Sequence, residues 1–236
     1  MPTLKNCMQS ALMIFAATYA LNLHADALTQ RQIVVGEFER VYLSGAVQLH
    51  LQQGLASTAL GTAKVTGPLD SLEQVIVEFG DGVLYIDVPA TQVTSPIIIH
   101  LPVGQLKEIV GSDGARVFAA QLESPSLALE SRGDGQFVLQ AMLVDDLVIV
   151  GRGNTDFILS GVVQHQVIEL AGLGSYHGAD LQSQTSHVSV QGAGEVDIWV
   201  QDLLEVNVYG AAKVRYDGSP WVQQQVHGTG AISRRF

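Results

Sequence analysis

The chain has 236 residues, of which 47% are hydrophobic and 15% charged, a balance that excludes intrinsic disorder. Aromatic residues make up only 6%, so Val, Leu and Ile must fill the core, and 24 glycines beside 7 prolines predict many short strands with tight bends. A net charge of -11, with Lys and Arg scattered along the chain, argues against nucleic acid and anionic membrane surfaces as partners.

Residues 1–27 read as a secretory leader. Lys5 supplies the basic start, Ala11 to Leu23 the apolar run, and Ala25-Asp26-Ala27 an A-x-A cleavage site before Leu28. The run is too short to span about 30 Å of hydrocarbon, so no membrane span is expected after cleavage. Cys7 lies in the leader, and an exported chain without it must be held by packing and hydrogen bonds alone. The destination is the periplasm, the outer-membrane surface or the medium.

Residues 28–105 hold strands of irregular spacing, the first coils or a cap. Phe38 to Leu43 leads into Ser44-Gly45-Ala46, and Val47, Leu49 and Leu51 then alternate with polar residues. Further strands follow at Ala63 to Thr66, Val75 to Phe79, Val83 to Val88 and Ile97 to Leu101, with turns at Gly67-Pro68-Leu69-Asp70 and Gly80-Asp81-Gly82.

Residues 106–236 are regular. Small-residue bends begin at Ser112, Gly133, Gly151, Gly172, Gly192, Gly210 and Gly228, at intervals of 21, 18, 21, 20, 18 and 18. Two apolar residues usually precede the bend, as Val206 and Val208 do, and another follows it, as Val196 and Val214 do. About 20 residues of extended chain reach roughly 60 Å, enough for one circuit of a small solenoid. Stacking such circuits about 4.8 Å apart predicts a single-stranded parallel β-helix with glycines at its corners, right-handed as parallel crossovers are.

These residues resemble the head GIN-domain family of bacterial putative auto-transporter adhesins. The likeness starts at Gly36-Glu37-Phe38-Glu39-Arg40-Val41, continues through Val47 to Gly54 and Val83 to Val88, and is strongest at Val188 to Val200 and Val206 to Pro220. It implies a β-helical exported domain with an adhesin-like role and no catalytic residues. Gly210-Ala211-Ala212 lacks the usual second glycine, and Arg116 and Thr155 stand where most repeats carry an apolar residue.

Aligned on their bends, the repeats place Asp156, His177, Asp197, Arg215 and Ser233 in one outward column, with Glu195 beside Lys213 in another. Carboxylates around His177 could in principle hold a divalent metal, but a flat ladder of solvated charges offers no pocket. Neither a metal nor a cofactor is therefore expected. On this alignment Val196→Asp should unfold the protein, whereas Asp197→Asn should cost under about 1 kcal/mol.

The candidate ligand-binding residues are Trp199, Tyr209 and Trp221, whose rings could stack on sugars or anchor a protein. For Trp221, beside Pro220, the better reading is that it covers the last coil against edge pairing. Asp145-Asp146 resembles the acidic pairs of polysaccharide-cleaving β-helix enzymes, but a turn is the better reading. The function expected is a non-enzymatic envelope or surface scaffold presenting a flat face to a glycan or an envelope protein. The alternative is a polysaccharide-acting lyase or hydrolase, and self-association through the coil ends is a further possibility.

Overall fold

The computed structural model describes residues 28–54, 61–89 and 96–235; residues 1–27, expected from the sequence to be a leader, lie outside them with Cys7. In chain order the elements are β1 (Thr29–Val35), β2 (Arg40–Ser44), β3 (Val47–Gln53), β4 (Gly61–Gly67), a single-turn helix α1 (Leu69–Leu72), β5 (Ile76–Gly80), β6 (Val83–Asp87), β7 (Ile97–Val103), β8 (Glu108–Ser112), β9 (Arg116–Ala119), β10 (Leu122–Gly172), β11 (Ser175–Gly192), β12 (Glu195–Gly210), β13 (Lys213–Gly218), β14 (Trp221–Gly228) and β15 (Ala231–Arg234). From β8 onward each coil pairs in parallel with the next, giving a parallel β-solenoid. β10 runs for 51 residues because its hydrogen bonding continues around the corners of the coil. Asp145-Asp146 and Gln201-Asp202 mark such corners, where two successive residues face solvent and the in-out alternation slips by one.

Inward residues from successive coils stack into columns. Val196 aligns with Tyr176 and Val214, and all three are buried. Phe137 and Phe157 stack at 5.2 Å inside the same column. Small residues in the facing strand make the space: a Cβ on Gly111 would lie 3.2 Å from the Phe137 ring, and one on Gly151 would lie 3.1 Å from that of Phe157. Tyr176 is buried too, and its hydroxyl donates to Gln166 Oε1 at 2.7 Å.

The bends differ from the sequence alignment in two coils. Gly133, Gly153, Gly172, Gly192, Gly210 and Gly228 all have positive φ, and they stack. A Cβ on Gly192 would sit 2.3 Å from the Gly172 carbonyl oxygen, so the column requires glycine for both conformation and close approach. The true bend in the coil of Thr155 is therefore Gly153-Asn154-Thr155. Gly151 belongs to the strand before it. Thr155 occupies the second small position, against Gly174, and is not in an apolar one. The coil of Arg116, two before that of Thr155, slips similarly: Arg116 pairs with Gln136, and Val117 takes the apolar place beside Phe137.

The N-terminal coils are stacked out of chain order. β2 lies between β6 and β8, and β3 lies between β7 and β9, all in parallel. The coil made first is thus enclosed by two made later. β4 and β1 continue the β7 side as antiparallel strands, and β5 pairs antiparallel with β6, finishing that end of the solenoid. The other end is open. Among the described residues β14 pairs only with β12 and β15 only with β13, and Val226, in register with the buried Val208, is 41% exposed.

Candidate ligand-binding faces

The charged column forms with one change of register. Cα pairing aligns His177 with Asp197, Asp197 with Arg215 and Arg215 with Ser233, but Asp156 aligns with Ser175, two residues before His177. The side chains close the gap. His177 Nε2 lies 3.5 Å from Asp156 and Nδ1 3.7 Å from Asp197, while Ser175 Oγ and Gln136 Nε2 donate to the Asp156 carboxylate. Glu195 aligns with Lys213, yet its carboxylate meets Arg215 at 2.5 Å.

Asp197 is not solvated. It is buried, and Arg215 grips both of its oxygens. Burial pushes its carboxyl up, but the hydrogen bonds and charge of Arg215 outweigh this and hold it below the ordinary carboxylate range. Among the described residues no three metal-capable side chains gather. The column's charged groups pair with one another, His177 with Asp156 and Asp197, and Arg215 with Asp197 and Glu195.

The three aromatic candidates do not converge. Trp199 ends the first arm of its coil, between Gln182 and Asp217 and 37% exposed, whereas Tyr209 lies on the arm beyond the Gln201-Asp202 corner. Tyr209 stacks on His227 at 5.0 Å, with the planes only 10° apart. Trp221 is in register with Leu203, roughly 20 Å along the strand from His227 at about 3.3 Å per residue. It is 72% exposed and projects outward, so it does not cover the last coil.

A cluster that sequence reasoning missed lies on the outer face of β6, β2, β8 and the start of β10. The out-of-order stacking puts Tyr85 beside Tyr42, Asp87 beside Ser44, and Glu108 and Ser112 on the far side of β2. The two rings meet edge to face, with centroids 5.2 Å apart. Tyr42 donates to Glu108 Oε2 at 3.0 Å, and this hydrogen bond, with burial and the Glu108 charge, raises its phenol. Arg132 completes the rim, its Nε donating to Glu130 at 2.9 Å. The hydrogen bond from Arg132 holds Glu130 below the ordinary range against the opposing effect of burial. These side chains line an open groove of about 270 Å³. Tyr42 and Tyr85 are 43 residues apart in sequence, and no local pattern pairs them.

Solved structures share this architecture. The crystal structure of a putative adhesin from Bacteroides fragilis aligns with a TM-score of 0.83 at 20% identity, covering 89% of this chain and 98% of that one. A putative adhesin from Parabacteroides distasonis aligns at 0.70 and 20% identity over 89% and 98% of the two chains. A putative lipid binding protein from the same organism aligns at 0.67 and 15% identity over 89% and 97%. Identities this low establish the common fold, and no curated protein matches. The family model for the putative auto-transporter adhesin, head GIN domain, matches residues 37–220, most of the chain and all of the groove, and the protein belongs to that family.

Proposed function

We propose that the protein is a non-enzymatic, exported adhesin-type scaffold that holds a glycan against the outer face of β6, β2 and β8. The observation that carries this reading is the groove in which Tyr42 and Tyr85 stand beside Glu108, Asp87, Ser44 and Arg132. A sugar ring offers an apolar C–H face to stack on an aromatic ring and a rim of hydroxyls for carboxylate and guanidinium partners. Glu108 fixes Tyr42 before any ligand arrives, which lowers the entropy lost on binding. The groove is open along the face, as binding within a polysaccharide chain requires.

Asp87 and Glu108 both line the groove and are the carboxylates the enzyme alternative would draw on, but they flank opposite ends of β2, beside Ser44 and Arg40. Catalysis is the weaker reading because Glu108 is engaged by the Tyr42 phenol.

Calorimetric titration with a panel of bacterial and host polysaccharides tests the proposal. Tyr42→Ala and Tyr85→Ala should each weaken binding by about tenfold or more, with Trp199→Ala and His177→Ala unaffected. Full affinity in both tyrosine variants would remove the ligand from this groove. New reducing ends in the same mixtures would make the protein an enzyme.

A further inference from the structure

We propose that the open C-terminal end of the solenoid is a homodimer interface, in which β14 pairs antiparallel with β14 of a second copy across a two-fold axis at Gln224. The inference is independent of the glycan reading. Among the described residues β14, an eight-residue strand, pairs on one side only, and its inward positions Val222, Gln224 and Val226 continue the buried column of Leu204, Val206 and Val208 into solvent. Such an edge recruits another strand unless something blocks it. Charge usually does: at the opposite end, β1 carries Arg31 and β5 carries Glu78. β14 reads Trp-Val-Gln-Gln-Gln-Val-His-Gly and has no Asp, Glu, Lys or Arg.

The strand is complementary to itself. With the axis at Gln224, antiparallel pairing sets Val222 against the partner copy's Val226, Gln224 against its equivalent, Gln223 against Gln225 and Trp221 against His227. Directly opposite residues of an antiparallel pair share a face. Apolar groups therefore meet apolar groups on the core side, and the two Gln224 amides can exchange hydrogen bonds. On the outside, Trp221 of each copy comes beside the His227 that already stacks on Tyr209. Such mutual matching is what an isologous contact demands.

The chain carries a net charge of -11, yet from Lys213 onward four basic residues accompany a single acidic one, Asp217. Two copies that meet at this end bring like basic charges together, but they keep the larger acidic charge of the other coils apart. One coil end is a small area, so the dimer should be weak and its population dependent on concentration.

The test is site-directed cross-linking in a Cys7→Ser background of the full chain, alongside sedimentation velocity from about 1 µM to about 500 µM. Opposed Cα atoms in an antiparallel pair lie about 4.5 to 5.5 Å apart, within disulfide range. Gln224→Cys, on the axis, should therefore form a disulfide dimer on mild oxidation, whereas Glu169→Cys, exposed on the outer face of the same arm and away from the edge, should not. The sedimentation coefficient should rise with concentration for the parent chain and stay monomeric for Val226→Lys, whose circular dichroism should be unchanged. Cross-linking no faster at Gln224→Cys than at Glu169→Cys would overturn the proposal, as would a monomer throughout. Association that survives Val226→Lys would place the contact on another surface.

Discussion

Arg215 holds Asp197 through two hydrogen bonds, Nε to Oδ1 at 2.6 Å and Nη2 to Oδ2 at 2.8 Å, across adjacent coils of the solenoid. The acceptor is buried and the donor partly exposed, so the pair is worth more than a surface ion pair and less than a fully desolvated one. Asp197→Asn should cost on the order of 1 to 2 kcal/mol in urea unfolding, above the sequence-based expectation. Asp156→Asn, on a more open side chain, should cost under about 1 kcal/mol. Val196→Asp, in a fully buried position, should still prevent folding.

The same pair carries a pH dependence. Because the folded state holds the Asp197 carboxyl below its ordinary value of 3.8, its stabilisation is complete above that value and is lost as pH falls through the lower folded one. The stability gap between the parent and Asp197→Asn should be constant from about pH 7 to pH 5 and shrink below about pH 4. Denaturant melts at half-unit pH steps would measure it.

His50 should act in the opposite direction. It is stacked between His100 at 5.0 Å and Phe118 at 4.9 Å, and burial, then the nearby His100 charge, lower its imidazole from 6.5. A lowered histidine binds its proton more readily in the unfolded chain, so acidification through 6.5 destabilises the fold until the lower folded value is passed. His50→Gln should flatten part of the fall in Tm between about pH 7 and pH 5. An unchanged slope would mean that other groups set it.

Gly192→Ala combines a positive φ with a Cβ pressed on the Gly172 carbonyl, and it should cost on the order of 3 kcal/mol. Gly80→Ala, where a Cβ meets nothing within 4 Å, should change stability by less than about 0.5 kcal/mol. Thermal unfolding of the two variants side by side separates the stacked glycine column from glycine content in general.

Tyr176→Phe should destabilise by about 1 to 3 kcal/mol, because it leaves the buried Gln166 without its phenol partner. Gln166 Nε2 already has no partner. Tyr176→Phe combined with Gln166→Leu should therefore recover much of the loss, a non-additivity that a double-mutant cycle reads directly.

The regular half of the fold was legible because the in-out alternation of Val188 to Val200 and Val206 to Val214 is a direct imprint of strand geometry. Where glycines crowd, the imprint fails. Gly151 and Gly153 are equivalent on paper, and only the stacking of positive-φ residues picks Gly153, which moves Thr155 and Asp156 by two positions. Asp197 sits between the buried Val196 and Ile198 in the alternation, yet it is itself buried and held by Arg215 through both oxygens, which alternation does not encode. The Tyr42 and Tyr85 groove was invisible because it depends on which coil stacks on which.

The enclosure of β2 and β3 sets an order of assembly. A chain leaving the ribosome presents them first, but neither of their partner coils exists until residues 83–119 have also emerged. Growth of the solenoid from its N-terminus is thereby ruled out. The later coils can zip up on one another by neighbour contacts, while β2 and β3 wait for loops of 43 to 68 residues to close around them.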